Sequence, residues 1–258
     1  MSKRRGAWSL GVDVAVRPVK ALDRVLEDRK PALRASAVIL AVYMAVSAVF
    51  YTLKPGDFPP MEGLGPLDAS NGLWFWVGVQ VWTPALAAVL IATTAWFAEV
   101  MRGGKLQFRL LAAVLSSAIP WLLFVVYART AAPKWVFGLV WLGLAALTVP
   151  GFRRLPKEAW MPLSALLLAV NSLALAMTPL FAATVVARFA AGYNALEIVL
   201  LIWTLGVCTY GVARILAMPV PRAFVAVFLG LLMQITFVMW MHLVGVIPNS
   251  VLKALMAV

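Results

Sequence analysis

Seven long apolar stretches constrain this chain more than any other feature of its sequence. A helix that crosses a membrane needs about 20 largely apolar residues. Short polar or basic segments separate the stretches, which cover residues 35–53, 73–101, 110–127, 135–149, 161–186, 195–218 and 223–246. The fourth stretch would reach only about 22 Å as a helix, which is short for a span.

The composition explains why these stretches cannot all form the core of a soluble protein. Hydrophobic residues make up 64% of the 258 residues and charged residues only 12%, whereas soluble domains have about half and about a quarter. A domain of this size leaves much of its side-chain surface in the solvent, so lipid must be the solvent over most of the length. Because no stretch alternates with a period of two, we predict an all-α, polytopic transmembrane helix bundle.

We predict about seven spans, and two alternatives would lower this number to as few as five. The short stretch 135–149 could be re-entrant, or it could form a broken hairpin with 161–186. Residues 130–191 would then not cross the membrane twice.

The residues before the first span form a separate, basic segment. We divide the chain into a cytoplasmic lead-in, 1–34, and a transmembrane helical domain, 35–258. Residues 18–30 have the pattern of a short amphipathic helix that begins at Pro18 and is ended by Pro31. This helix could lie on a membrane surface or be a simple solvated segment. We expect the N-terminus, MSKRRGAWSL, to be retained, because no signal-peptide core follows it.

The basic residues predict the orientation of the chain. Lys and Arg gather on the cytoplasmic side of membrane proteins. Most of the 22 Lys and Arg residues lie on one side if the N-terminus is cytoplasmic and the C-terminus is outside. That side then carries the lead-in and three connections, which contain Arg102, Lys105, Arg109, Arg153, Arg154, Lys157, Arg214 and Arg222. The opposite side keeps Lys54, Arg129, Lys134, Arg188 and Lys253.

Two further patterns concern the ends of the predicted spans. The first outer connection, 54–71, carries three acids (Asp57, Glu62 and Asp68) and many turn-forming residues, so we expect no regular structure there. Several tryptophans fall near helix ends and predict an aromatic belt, namely Trp74, Trp76, Trp135, Trp160 and Trp240.

The rare residues restrict the possible chemistry. The single His242 and the single Cys208 are too few for the usual zinc site or for an intrachain disulfide. The sequence has no nucleotide-binding or nucleophile-elbow motif, so we expect no cofactor. We attribute the net charge of +12 to the cytoplasmic surface and to anionic lipid rather than to nucleic acid. The basic group Arg153, Arg154 and Lys157 could bind anionic lipid or an acidic partner.

Three stretches resemble the Yip1 family of polytopic membrane proteins. They are VRPVKALDRVLEDRKPALRASAVIL, RGGKLQFRLLAAVLSSAIP and ALEIVLLIWTLGVCTYGVARILAMPVPRAFVAVFLG. The positions that carry the similarity in the second and third stretches are Gly103, Gly104, Phe108, Pro120, Trp203 and Gly206. The resemblance covers about two thirds of the chain, and residues from about 130 to 191 depart from it, as if two helices were inserted into a five-span plan.

The resemblance implies little chemistry. Eukaryotic members of that family bind small GTPases and act in vesicle traffic, and the family contributes no catalytic residues. The sequence also has no metal cluster, no nucleotide motif and no buried relay of charged residues, so we expect a non-enzymatic protein that works by association. We expect a scaffold, an assembly factor or an accessory subunit of a membrane complex, in the bacterial inner (plasma) membrane. The expected partners are the bilayer, anionic lipid at the cytoplasmic face, and other membrane proteins or further copies of the chain.

Ionisable and polar groups inside the spans support an alternative function. Burying such groups is costly unless they are paired, so they are candidates for a site. Glu197 and His242 are predicted at similar depth on antiparallel neighbours and could form a pair, which would be structural or would bind a proton or a cation. Asn171 and Gln234 fall near the middle of the membrane and could bond between helices or contact a ligand.

The alternative is therefore a small-solute or ion transporter that uses Glu197 and His242 near the outer face, with Asn171 and Gln234 along the path. Pro84, Pro120 and Pro179 could break helices around such a site. A third class, a lipid-acting enzyme, would need a serine such as Ser116, Ser117 or Ser172 to meet His242.

Overall fold

A computed structural model describes residues 6–59, 72–130, 133–154 and 156–256. Within these residues every regular element is a helix. In chain order they are α1 (Ala7–Val16), α2 (Pro18–Glu27), α3 (Arg29–Leu53), α4 (Leu73–Gln80), α5 (Trp82–Val100), α6 (Leu106–Arg129), α7 (Lys134–Arg154), α8 (Lys157–Ala169), α9 (Asn171–Val186), α10 (Ala190–Ile215), α11 (Val220–Leu243) and α12 (Asn249–Met256).

Six helical stretches in the described residues are long and apolar enough to cross a membrane. They are Arg29–Leu53, Leu73–Val100, Leu106–Tyr127, Lys157–Val186, Ala190–Ile215 and Val220–Leu243. The all-helical prediction is confirmed for the described part of the chain, and these six match six of the predicted stretches. The remaining one, 135–149, lies in α7, where the shorter apolar helix Lys134–Leu144 is found. The number of spans and their orientation stay predictions.

Prolines explain two of the helix boundaries. The prediction that Pro31 ends the amphipathic helix is wrong, because α2 ends at Glu27 and Pro31 lies in the first turn of α3. A proline is tolerated there since the first backbone N–H groups of a helix have no acceptor within it. Pro84 has the same place in α5, and the stretch 73–101 is accordingly broken at Val81 into α4 and α5.

The chain forms two compact units, and the first comprises Met1–Ala87 and Met161–Gly211. In this unit α1 contacts α2, α3 and α9. Leu10 and Val14 of α1 are fully buried. A Cβ atom added at Gly11 would lie 3.2 Å from the Cβ of Ser172 on α9. The absence of a side chain at Gly11 therefore lets α1 approach α9 closely.

The amphipathic helix α2 is confirmed, but protein covers its apolar face. Leu22 and Val25 are almost completely buried, and α2 contacts α1 and α3. Arg24 of α2 donates a 2.9 Å hydrogen bond to Ser9 of α1. The helices α1 and α2 thus form a packed hairpin, and α2 is neither a solvated segment nor a helix with a free apolar face.

The second unit comprises Ala88–Trp160 and Val212–Val258. Its α11 contacts α6 and α12. A Cβ atom at Gly230 of α11 would overlap the Thr94 side chain of α5, so these two helices also pack closely. Phe137 of α7 stacks on Trp240 of α11 with 3.7 Å between the ring centroids.

The predicted aromatic belt is only partly found. Trp74 and Trp135 are exposed, as a belt requires. Trp240 is fully buried in the second unit, and Trp76 is buried in the first unit, where it stacks on Tyr51. These two indoles are packing residues, because their large rings contribute buried apolar area.

One arginine holds the turn between α5 and α6. The Arg222 guanidinium donates hydrogen bonds of 2.8, 2.7 and 2.6 Å to the carbonyls of Met101, Gly103 and Gly104. Both glycines have positive φ values, 67° and 62°, which side chains with a Cβ rarely adopt. The two glycines of the family-like motif thus form a turn whose carbonyls are held by the start of α11.

Replacing Arg222 should destabilise this turn. Arg222→Gln removes a charged donor from three carbonyls, and we expect the free energy of unfolding to fall by about 2 kcal/mol. Arg222→Lys should lose part of this stability, because an ammonium group cannot reach three carbonyls as the planar guanidinium does. Unfolding in a mixed-micelle titration measures the effect, with the exposed Arg129→Gln as the control. Equal stability of R222Q and the control would contradict the assignment.

A side chain at Gly11 should displace α1. Gly11→Leu would force its side chain against Ser172, and such overpacking costs about 1 to 3 kcal/mol. Hydrogen–deuterium exchange should accelerate throughout α1. Gly78→Leu, at a helical position with nothing within 4 Å, is the matched control. Unchanged exchange in G11L would show that α1 does not depend on this contact.

Candidate functional site

A buried lysine stands at the end of α3, in the first unit. Lys54 directly follows the last residue of the helix, and only 9% of its surface is exposed. Its Nζ donates a 3.1 Å hydrogen bond to the Tyr193 hydroxyl of α10. The same ammonium lies 5.0 Å from the ring centroid of Tyr51 and 4.8 Å from that of Tyr193. Aromatic faces stabilise a cation at these distances.

An aromatic cluster encloses this lysine. Phe58 and Phe181 both contact the Tyr193 ring, with centroid distances of 5.6 and 5.0 Å. On the other side, Tyr51 stacks on Trp76 of α4 at 5.0 Å. The hydroxyls of Tyr51 and Tyr193 are hydrogen-bonded to each other. The ammonium is therefore held between two tyrosines in a largely apolar environment.

Glu197 lies one helical turn beyond Tyr193 on α10 and acts on Lys54 through its charge. Burial lowers the pKa of Lys54 from its usual value to about 8, and the Glu197 carboxylate opposes this by favouring the charged amine. Around pH 8 the Lys54 amine can therefore hold or release a proton. The Lys54 amine, the Tyr51 and Tyr193 hydroxyls and the Glu197 carboxylate together can exchange protons or bind a small polar ligand.

An ion pair lies at an exposed position in the same unit. Arg188 donates a 2.9 Å hydrogen bond to Asp57, and both side chains are 62% exposed. Exposed pairs contribute little to stability. Of the three acids predicted in the connection 54–71, Asp57 is placed here, whereas Glu62 and Asp68 lie outside the described residues.

The two residues predicted as an intramembrane pair belong to different units of the chain. Glu197 belongs to the first unit, where its charge acts on Lys54. His242 belongs to the second unit, where its Nδ1 lies 2.8 Å from the carbonyl oxygen of Ile247. Because a carbonyl only accepts, Nδ1 carries the proton. His242 therefore ties the end of α11 to the segment that leads into α12.

The two predicted mid-membrane amides are in simpler environments. The Asn171 amide donates a 2.9 Å hydrogen bond to the carbonyl of Leu168, just before the break between α8 and α9. Its bond is thus local, although a bond between helices was one of the expectations. Gln234 is half-buried on α11 in the second unit.

The remaining predicted residues lie mostly at exposed positions. Phe108, Trp203 and Gly206 of the family-like motif are exposed, and Pro120 lies inside α6. α7 ends at Arg154 and α8 begins at Lys157, so Arg153, Arg154 and Lys157 border one short connection, with the Lys157 side chain exposed. Cys208 is buried, as free cysteines usually are.

Two of the three serines considered for an enzyme bond within their own helix. Ser116 and Ser117 donate hydrogen bonds to the carbonyls of Ala112 and Val114 within α6. Ser172 belongs to the first unit and packs beside Gly11. Their positions indicate packing roles.

Sequence reasoning missed Lys54, Tyr51 and Tyr193, since it counted Lys54 only as a cation of an outer connection. A usable signal was present. Tyr51 and Lys54 are three residues apart, and Tyr193 and Glu197 are four apart, so each pair shares a helix face. Two such pairs at predicted helix ends on the same side of the membrane could have suggested one site.

The titration of Lys54 tests this geometry. In protein labelled with ¹³C at the lysine Cε, the signal that disappears in Lys54→Met should titrate with a midpoint near pH 8. Glu197→Gln removes the carboxylate that favours the ammonium, so it should move the midpoint to lower pH. The exposed Lys157 provides a reference signal. An unchanged midpoint in E197Q would show that Glu197 does not act on Lys54.

The comparisons add no relative from which a function could be transferred. No protein-family model matches the chain, and neither a curated protein nor a solved structure matches it. The resemblance to the Yip1 family therefore stays a prediction based on the three stretches that carry it.

Proposed function

We propose that this chain is a non-enzymatic helical membrane protein that works by association, as a scaffold, an assembly factor or an accessory subunit of a larger membrane complex. The observation that carries the proposal is the exposed apolar face of α6. We place the protein in the bacterial inner membrane, with a cytoplasmic N-terminus and the C-terminus outside.

The helix α6 is long and apolar enough to span a membrane, and it buries little of its surface within the described part of the chain. Leu111, Leu115 and Leu122 lie on one side of it and are 56%, 57% and 62% exposed. Between helices in a membrane, association depends on close packing rather than on a hydrophobic driving force. A row of exposed leucines on a helix that the described part of the chain leaves open is a suitable surface for a helix of another subunit or of a second copy.

The polar groups of the spans support the same proposal, because many of them hold parts of their own unit. Arg222 binds the turn between α5 and α6, and His242 binds the segment after α11. Ser116 bonds to its own helix. These contacts favour a protein whose spans present fixed surfaces. The basic residues Arg153, Arg154 and Lys157 would then bind anionic lipid or an acidic partner on the cytoplasmic side.

The association is tested by purification in a gentle detergent at native expression, followed by mass spectrometry of the bound proteins. A photoreactive amino acid at Leu115 should crosslink to a partner in intact cells. The same amino acid at Val38, which is 52% exposed on α3, is the matched control. Crosslinks from position 115 to a stoichiometric partner, or to a second copy, support the proposal. A chain that purifies alone and gives no crosslink from position 115 contradicts it.

The buried Lys54 favours a second candidate, the transport of a proton or a small ion. Its pKa of about 8 would let it change charge under physiological conditions, with Tyr193 and Glu197 beside it. Lys54→Met and Glu197→Gln should then abolish pH-dependent flux into vesicles that contain the purified protein. His242→Phe tests the predicted pair of Glu197 and His242 in the same assay. Unchanged flux in K54M and E197Q, with normal assembly, would contradict a transport function.

A further inference from the structure

An open apolar groove lies in the second unit, among α5, α6, α7 and α11. Its volume is about 440 Å³. Aromatic rings from three helices form much of its wall, from Trp96 and Phe97 of α5, Trp141 of α7 and Phe237 of α11. All of the lining residues belong to this one unit. The groove lies along three of the helices that are able to span a membrane.

The hydroxyl groups in the groove offer little to a polar ligand. Thr93, Ser116 and Thr236 each donate a hydrogen bond of 2.7 to 2.8 Å to a carbonyl of their own helix. These hydroxyls therefore have no hydrogen left to donate to a ligand, and the rest of the lining is mostly hydrocarbon. Because an unsatisfied polar group is costly in such a place, the groove fits an apolar chain rather than a polar solute.

A basic turn lies at one end of the helices that form the groove. Arg102, Lys105 and Arg109 are exposed at the connection from α5 to α6. The nearby Glu99 pairs with Arg102 at 3.3 Å. Arg222 binds the carbonyls of this connection, and no acid of the described residues forms an ion pair with its guanidinium. The turn thus carries four cations and one carboxylate, so it attracts an anion.

The spacing between the basic turn and the groove fits one lipid molecule. On α6, Arg109 lies ten residues before the groove residue Ile119, which is about 15 Å along a helix. Half of the hydrocarbon core of a bilayer is also about 15 Å thick. An acyl chain in the groove would therefore place its phosphate at the level of the basic turn.

We propose that this groove holds an acyl chain of an anionic phospholipid whose phosphate is bound at the turn formed by Arg102, Lys105, Arg109 and Arg222. The bulk bilayer is as apolar as the groove, so the chain is held by close packing against the rings. The selectivity for an anionic headgroup comes from the four cations. Each basic residue near a membrane surface raises the affinity for anionic lipid about fivefold. This site goes beyond the proposed association of α6, whose Leu111 and Leu115 lie on a different face.

Native mass spectrometry tests the headgroup. The purified protein is mixed with equal amounts of phosphatidylglycerol and phosphatidylcholine of identical acyl chains. The wild type should retain phosphatidylglycerol preferentially. Lys105→Gln with Arg109→Gln should reduce that preference by about fivefold for each charge removed. Arg17→Gln with Lys30→Gln, two exposed residues of the first unit, is the control with the same change in net charge.

A second pair of variants tests the groove. Ala92→Trp places an indole in it, and the preference for phosphatidylglycerol should disappear. Ala45→Trp, at an exposed position of α3, is the matched control. If A92W does not fold, brominated phosphatidylglycerol at a low mole fraction in phosphatidylcholine vesicles serves instead. The brominated lipid should quench wild-type tryptophan fluorescence more strongly than its mole fraction in the vesicles predicts. Trp141→Phe should remove part of this excess quenching.

Two outcomes would overturn the proposal. If the charge variants lose phosphatidylglycerol but A92W keeps it and Trp141 shows no excess quenching, the lipid is bound at the turn alone. If A92W loses both lipids equally and the charge variants change nothing, the groove holds an apolar ligand without headgroup selectivity. Loss of the preference in both sets of variants, with folded controls unchanged, is the expected result.

Discussion

The requirement that every backbone N–H and C=O group find a partner away from water governs this structure. In an apolar medium these groups cannot bond to the solvent, so a spanning segment becomes a helix, which satisfies them internally. The groups at the ends of helices still need acceptors or donors. Arg222 fulfils this need at the α5–α6 turn, where three carbonyls converge on one guanidinium.

The same requirement shapes what the polar side chains can do. The hydroxyls of Ser116 and Thr236 donate hydrogen bonds to carbonyls of their own helices, and His242 bonds to the segment that follows α11. Lys54 differs, since its surroundings are two tyrosine rings and a hydroxyl rather than a carbonyl or a paired acid in contact. These surroundings make Lys54 a cation whose charge can change with pH.

Local rules predicted the spans well and the tertiary contacts poorly. The stretches 110–127 and 223–246 became α6 and α11 with boundaries shifted by a few residues. The sequence pattern predicts that Pro31 ends a helix, whereas it lies in the first turn of α3. The first turn of a helix and the position after its end both suit a residue without an N–H group. Trp76 and Trp240 were assigned to an interface because they lie near helix ends, and their burial depends on neighbours that the local sequence does not specify.

The sequence by itself predicted a helical chain with seven apolar stretches, because length, apolar composition and backbone satisfaction are properties of each segment alone. Six of these stretches correspond to described helices that are long enough to span a membrane. It also marked Glu197 as a functional candidate through the cost of burying a charge. The tertiary structure alone decided that Glu197 acts on Lys54. The hydrogen bond that brings α3 and α10 together here joins residues 139 positions apart, and such a contact follows from how the helices pack rather than from any local pattern.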